Sequence, residues 1–404
     1  MRVLLLPGSN ALSHMAKCLG VRTLLERRGH HVTVAASRRG SAFLDQIGVP
    51  HVVLPDIQEA DLGSSPSIAW FKRPERLEAC VQSEIALIRR IEPDRIVGVF
   101  RFTAGVSARV TRIPFDALLC GCMLPQCRLP LGFAPGEAGA EKQIRYLRVF
   151  QDLCAPRVNR TLERYGLAPV QDIRELLVGD RTFLWDPEEF FPFPVPERTV
   201  RIGPSWWDGW PREEFKMEDV IALGPRIAVL SLGTGGAPAQ VVDKLLPLLV
   251  RMGYGVVVAG GGSLVATGAA PAGSPVVGFR FASLQDLLPR ASLLVCHGGQ
   301  STVFEGLRHR VPIVVMPLQP EQAHNGVCLE RIGCGARLVP PTPCTSDPYP
   351  FLRALGRMRD EEIAGRIRSL VESAGLGDRL GRFSAVMAGY DGGTALLRFL
   401  EEEA

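Results

Sequence analysis

Short, continuous apolar runs alternate along this chain with longer stretches in which apolar residues recur at helical spacing. The runs are Arg2–Leu6, His31–Ala36, Arg95–Phe100, Phe115–Cys120 and Thr182–Trp185 in the first half, and Arg226–Leu232, Gly255–Ala259, Ser292–Cys296 and Ile313–Met316 in the second. Runs this short, with little polar alternation, predict strands covered on both faces, as in a parallel sheet. Helical period leads from the loop after Pro7 to Arg27-Arg28-Gly29, and recurs over Arg76–Ile91, Val106–Val110 and Val241–Met252. Gly29 stops the first of these helices. Strand and helix taking turns in this way predict an α/β protein built on parallel sheets.

The alternation breaks once. Between Phe190 and Met217 the composition shifts to Pro and aromatics, with Phe190-Phe191-Pro192-Phe193-Pro194 and Ser205-Trp206-Trp207-Asp208-Gly209-Trp210-Pro211. Such a stretch reads as a junction between domains. The expected organisation is a Rossmann-like domain over 1–205, with a helix-rich insertion from about Pro135 to Tyr165, a linker over 206–222, and a second Rossmann-like domain over 223–385. Residues 386–404 carry a final helix, about Gly393–Glu402, expected to pack back toward the first domain.

Composition narrows the classes of function. The chain has 404 residues, enough for two or three domains, and 46% hydrophobic with 22% charged residues lies outside the range of disordered chains. The formal net charge of +4, from 46 basic and 42 acidic residues, is too small an excess to argue for nucleic acid as a partner. Only five of the basic residues are lysines, a bias attributed to codon composition rather than to anion binding. Met1–Leu6 ends at Pro7-Gly8, too short for a signal peptide core, and no apolar run reaches the roughly 18 residues of a membrane span, so a cytoplasmic protein is expected. Ten cysteines are scattered through apolar sequence and read as reduced, buried thiols. Their one tight group, Cys120-x-Cys122-x4-Cys127, lacks a second pair or a nearby His, and no metal site is expected. There is no DxD triplet, P-loop or GxSxG elbow. The turn Gly260-Gly261-Gly262-Ser263 follows a strand, a weak phosphate signal that alone reads rather as a flexible strand-to-helix turn.

The informative segment is Val295-Cys296-His297-Gly298-Gly299-Gln300-Ser301-Thr302-Val303-Phe304-Glu305, continuing through Val311-Pro312 to Pro320-Glu321-Gln322-Ala323-His324-Asn325. A buried strand here ends in a His, two glycines and the start of a helix. Glycines allow close backbone approach to a ligand, and amides at a helix N-terminus favour a phosphate. Taken singly, Thr302-x-x-Glu305 also has the form of a capping box and Pro320-Glu321 that of an ordinary helix start.

The segment resembles the donor signature of the family 1 glycosyltransferases, the UDP-glycosyltransferases that include bacterial macrolide enzymes. The resemblance implies the GT-B fold, two Rossmann-like β/α/β domains facing each other across a cleft. It implies that His297 with Gly298, Gly299, Gln300, Ser301 and Thr302 holds the donor diphosphate, that Glu305 bonds the ribose hydroxyls, and that Glu321 and Gln322 bond the sugar. Gly233 and Thr234 resemble the family's further phosphate-side loop. Two positions depart from the pattern: Phe281-Ala282-Ser283-Leu284 stands where relatives commonly read aromatic-Val-Pro-Gln, and Glu321 where many have Asp.

The first half resembles the acceptor domain of the same family, in which a loop His is the general base. That residue here is His14, and the helix N-terminus is expected to keep its imidazole neutral. Relatives usually place an Asp after the strand beginning Pro93-Asp94, to orient the base; the matching stretch reads Gly98-Val99-Phe100-Arg101. Ser13 and Arg101 are expected at the acceptor. The implied activity is inverting transfer of a sugar from a UDP- or dTDP-type nucleotide sugar to a small, largely apolar acceptor such as a natural product. It needs no cofactor and no metal, the nucleotide sugar being a co-substrate. Transfer to a lipid carrier at a membrane surface and silent nucleotide-sugar binding are the alternatives, the latter prompted by Val99.

Overall fold

The computed structural model describes residues 1–59, 68–210, 216–233, 239–260, 275–279, 282–344, 347 and 349–402. The chain forms two compact units. The first comprises residues 1–129, 144–207 and 390–404, and the second 130–143 and 208–389.

The first unit is built on strands β1 (Arg2–Pro7), β2 (His31–Ala36), β3 (Val52–Val53), β4 (Arg95–Val99), β5 (Phe115–Leu119), β6 (Arg181–Leu184) and β7 (Thr199–Arg201). They form one sheet in the order β3-β2-β1-β4-β5-β6-β7, with every pair parallel. Val3 to Leu6, Ile96, Val97 and Leu118 are buried because helices cover both faces, which is why these strands lack polar alternation. The helix Leu12–Arg27 follows β1, Pro74–Ile91 precedes β4, and Phe102–Thr111 follows it. The terminal helix Gly392–Glu401 packs on Leu12–Arg27 within this unit.

The second unit repeats the winding with β8 (Ile227–Ser231), β9 (Gly255–Ala259), β10 (Val276–Phe279), β11 (Ala291–Cys296), β12 (Ile313–Val315) and β13 (Gly335–Arg337), in the order β10-β9-β8-β11-β12-β13 and again all parallel. Residues 130–143, which the sequence reading places in the domain over 1–205 and, from about Pro135, in its insertion, belong to this unit. The buried Arg337 explains the attachment: its guanidinium donates to the carbonyl of Gly132 at 3.0 Å and to both carboxylate oxygens of Glu137, at 2.9 and 2.6 Å.

Strands β3, β7, β10 and β13 fall outside the apolar runs. Each has two to four residues at or near a sheet edge, too few to build a run. Strand β7 lies inside the Pro- and aromatic-rich stretch read as a junction, and that stretch also buries Phe190 and Phe191 in the first unit. All ten cysteines are free thiols and nine are buried. Among the described residues, no helix is long and apolar enough to cross a membrane.

Candidate active site

Open parallel sheets bind ligands beyond the carboxyl ends of their strands, where the chain order reverses. The reversal lies between β1 and β4 in the first unit and between β8 and β11 in the second. Each reversal carries a histidine that the sequence singles out.

In the first unit, β1 runs into the loop Pro7-Gly8-Ser9, and His14 sits in the opening turn of Leu12–Arg27. Its ring packs on Phe100, just past β4, with centroids 5.1 Å apart. The residue is partly exposed, but its Nδ1 is shut from solvent and has no hydrogen-bond partner among the described residues. Burial pushes the imidazole down to about 3, the Lys17 ammonium adds to the effect, and a backbone hydrogen bond at Gly8 opposes it. His14 is therefore neutral at pH 7, with burial rather than the expected helix terminus as the main cause. Ser13, beside it in the same turn, is partly exposed.

Val99 ends β4, buried, and offers no polar group to His14. What stands behind the histidine is a charged network on the next residue but one. The Arg101 side chain is 0% exposed, and its Nε donates to Glu84 Oε1 at 2.6 Å. Its Nη1 reaches Asp56 Oδ2 at 3.4 Å and the Pro7 carbonyl at 3.3 Å, and its Nη2 the Pro55 carbonyl at 2.9 Å. Thr103 and Ser107 complete the shell of Glu84, each donating at 2.5 Å. Arg101, expected at the acceptor, is buried here and bonds to Glu84, Asp56 and the Pro7 and Pro55 carbonyls, tying the end of β4 to the end of β1.

The loop is held at two more points. Ser9 N–H donates to Asp56 Oδ2 at 2.9 Å, and Gln58 Nε2 to the Phe100 carbonyl at 3.0 Å. Phe100 adopts φ 51°, strained for a large residue, and Gly8 lies so near that a Cβ there would be 2.3 Å from its carbonyl oxygen.

The second reversal is made of backbone. Strand β11 ends at Cys296, and the His297 N–H donates to the Ser231 carbonyl, at the end of β8, at 3.3 Å. Gly298 has φ 87°, and a Cβ there would meet the Gln322 carbonyl oxygen at 2.7 Å and Val315 Cγ1 at 2.6 Å. Gly299 precedes the helix Gln300–Arg308, and a Cβ there would be 2.4 Å from His297 Nε2. Gly233 has φ 84°, with its Cβ position 3.1 Å from the His297 ring, and Gly260 has φ 81°, 3.3 Å from the Gly233 carbonyl. Only glycine fits this convergence of three loops. Thr234, Gly261, Gly262, Ser263 and Phe281 lie outside the described residues.

No side chain caps the helix Gln300–Arg308, so the amides of its first turn, Gln300 to Thr302, have no intrahelical acceptor. The capping box does not form, because the helix begins two residues before Thr302. Glu305 serves elsewhere: its Oε1 accepts from Gln285 Nε2 at 3.1 Å, and its Oε2 is buried with no hydrogen bond among the described residues, 3.5 Å from His309 Nε2 and 3.7 Å from Arg308 Nη1. His297 Nδ1 is likewise buried with no partner among the described residues, and burial lowers the ring's pKa.

At the start of the helix Pro320–Ile332, Asn325 Nδ2 joins the two halves of the motif, donating to the Gly298 carbonyl at 2.9 Å and to Glu321 Oε1 at 2.8 Å. Gln322 Oε1 accepts from the Leu318 N–H at 2.8 Å. Asn325 and Gln285 are functional neighbours that motif reading passed over. Asn325 had a local signal, since a residue four after Glu321 shares its helix face; Gln285 had none.

Residues 242–339 match the family model described as the glycosyltransferase family 28 C-terminal domain, which spans β9 to β13 and the whole glycine turn. A PGL/p-HBAD biosynthesis rhamnosyltransferase of Mycobacterium bovis is 23% identical over 417 aligned residues, covering 94% of this chain and 84% of that protein. Among solved structures, the glycotransferase of kitacinnamycin superposes with a TM-score of 0.76 at 18% identity, covering 99% of this chain and 98% of that one. Glycosyltransferase VinC in complex with dTDP gives 0.65 at 16% identity, with complete coverage of both chains. The two doubly wound sheets are those of the GT-B fold, and the chain is a glycosyltransferase.

Proposed function

We propose that the chain transfers a sugar, with inversion at the anomeric carbon, from a UDP- or dTDP-type nucleotide sugar to a small, largely apolar acceptor of the natural-product kind. The observation that carries this reading is the glycine turn His297–Thr302, whose helix has no side-chain cap and whose His297 Nδ1 has no partner among the described residues, features that suit a diphosphate. In this reading the second unit supplies the donor site: the turn and Gly233-Thr234 hold the diphosphate, Glu305 the ribose, and Glu321 with Gln322 the sugar. The first unit supplies the acceptor side. His14, neutral and partly exposed, takes the acceptor proton as its oxygen attacks the anomeric carbon. The bond to the diphosphate breaks with its electron pair, and the amides absorb the developing charge.

Thermal-shift titration with UDP, dTDP and GDP sugars tests the donor side, since a ligand of the folded state raises its stability with concentration. No rise with any of them overturns the donor assignment. His14→Ala tests the other half, with kcat expected to fall by about 10²- to 10⁴-fold at unchanged donor affinity. Product NMR reads the anomeric configuration.

A second reading, a lipid-borne acceptor, is favoured by one feature of the helix Ala140–Arg164. Val149 and Leu153 are 54% and 43% exposed there, beside the exposed Arg145 and Arg148. Cosedimentation with anionic vesicles, lost on Val149→Asp with Leu153→Asp, separates the two readings.

A further inference from the structure

The helix Pro320–Ile332 carries Glu321 and Gln322 in its first turn, and no side chain caps that turn. Its place is therefore set by what packs against it. On one side, Asn325 Nδ2 ties the helix to the Gly298 carbonyl at 2.9 Å. On another, Ala323, Gly326 and Glu330 share a face by their helical spacing. Gly132 sits on Ala323: it has φ 93°, and a Cβ there would be 2.9 Å from Ala323 Cβ and 3.9 Å from the Pro320 carbonyl oxygen. Gly326 leaves room for Arg337, whose Cγ would be 2.7 Å from a Cβ at that position. Glu330 Oε2 accepts from Arg337 Nε at 2.8 Å.

Arg337 joins these contacts. Its side chain, 8% exposed, leaves β13 along this face of the helix and divides its donors between Glu330 and Glu137, with the Gly132 carbonyl as a further acceptor. Glu137 Oε2 also accepts from the Ala134 N–H at 2.8 Å, and the bonds from Arg337 hold its carboxyl below the usual range. Farther along the same segment, Gln143 Oε1 accepts from the Cys344 N–H at 2.8 Å, so residues 132–143 are fastened at both ends. A buried ion pair adds little net stability, because desolvation offsets the attraction, whereas a forked pair fixes geometry. What Arg337 fixes is the approach of Gly132 to the first turn of the helix.

We propose that Arg337 is a positioning residue for the donor sugar: by clamping Gly132 and Glu137 onto the Ala323 face, it sets where Glu321 and Gln322 stand relative to the glycine turn. Sugar recognition then depends on the segment 130–137, which is remote from the donor motif in sequence. This rests on the reading of Glu321 and Gln322 as the groups that meet the sugar. The diphosphate end does not need the clamp. The glycine turn is held from its own sheet, by the bond from His297 N–H to the Ser231 carbonyl and by the close approach of Gly298 to Val315.

Calorimetric titration separates the two ends of the donor, with UDP and dTDP as diphosphates and UDP-glucose, dTDP-glucose and dTDP-rhamnose as nucleotide sugars. The nucleotide sugar that binds the unaltered protein most tightly is compared with its own diphosphate. Glu137→Ala is the first variant, since it leaves Arg337 paired with Glu330 and strands no buried charge. Losing these charge-assisted bonds should weaken the nucleotide sugar about tenfold, with the diphosphate within about twofold. Arg337→Lys, which keeps the charge and loses the fork, should show the same split. Gly132→Ala presses a Cβ on Ala323 and should show it too, and adding Ala323→Gly, which removes that contact, should recover at least about threefold. Equal losses for sugar and diphosphate, no loss in Glu137→Ala, or a Gly132→Ala defect that Ala323→Gly leaves untouched overturns the proposal. Failure of the donor reading itself is a different result, in which neither diphosphate binds the unaltered protein.

Discussion

The two units wind their sheets in the same order, the first with one strand more, and place a histidine at each reversal, yet they build the surroundings from opposite materials. At the first, large side chains do the holding: Arg101, Glu84 and Asp56 form a buried charged tie, and Phe100 backs His14. At the second, three glycines with positive φ let the backbone turn in on His297, and the helix that follows starts without a side-chain cap. On the proposed function the difference follows from what each would recognise. A diphosphate is the same in every donor, and amides at fixed geometry suit it without any side chain. On the same reading the first reversal meets the acceptor with a single histidine, which Phe100 backs.

The largest expected effect comes from filling the glycine turn. Gly298→Ala forces a Cβ against the Gln322 carbonyl oxygen and Val315 at a φ of 87°. The strain is about 1–3 kcal/mol, and the cheapest relief moves the turn off its ligand geometry. Donor-induced thermal stabilisation should vanish and kcat/KM fall by about 100-fold or more. Gly8→Ala is the counterpart at the first reversal, crowding the Phe100 carbonyl, and should lower kcat while leaving the donor shift intact. A donor shift lost in both variants would break the division of labour.

Next in size is the charged tie. Arg101→Leu leaves Glu84 and Asp56 buried without their cation, a loss of about 3–5 kcal/mol in the stability of the first unit, read by urea unfolding. Arg101→Leu combined with Glu84→Leu should recover part of it, since the uncompensated charge and not the missing packing causes most of the damage. Among the described residues the second unit has no such charged tie behind His297, and its unfolding should be untouched.

These two regions also differ in how far the sequence discloses them. Recognition by backbone is local, so His297, Gly298 and Gly299 stand side by side in the chain and can be found by reading it. The long strands β1, β2, β4, β5, β8, β9 and β11 are legible for the same reason, burial on both faces writing a continuous apolar run. The tie around Arg101 joins residues 17 and 45 positions apart, and nothing in Phe100-Arg101-Phe102 says that the arginine will turn inward. Gln285 reaches Glu305 across 20 positions, and Arg337 reaches Glu137 across 200. Such pairs become visible only once the sheet order is known.

Acid should weaken both reversals. His14 titrates at about 3, His324 at about 4, and His297 below its ordinary value, all through burial. The unfolded chain, with histidines near 6.5, binds more protons between that pH and the folded values, so stability is complete above about 6.5 and falls as pH drops toward 4 and 3. Each histidine contributes a slope of up to about 1.4 kcal/mol per pH unit. His14→Gln should flatten the loss for the first unit alone, measured by urea midpoints from pH 7 to pH 4.5.

The smallest effects are the sharpest test of the comparison, because they come from two glutamines in corresponding jobs. Gln58 holds the Phe100 carbonyl in the first unit, and Gln285 holds the Glu305 carboxylate in the second. Each bond is worth about 1 kcal/mol, so removal by Ala should cost about fivefold in whichever step it serves. Gln285→Ala frees Glu305 to swing toward Arg308 or His309, and its cost should appear as weaker binding of the nucleotide sugar, with kcat nearly unchanged. Gln58→Ala loosens the strained Phe100 behind His14, and its cost should appear in kcat, with donor affinity unchanged. Because the two bonds are of similar strength, a stability measurement cannot separate them, whereas the split between KM for the donor and kcat can. If both variants moved the same constant, the second reversal would not be a donor site independent of the first.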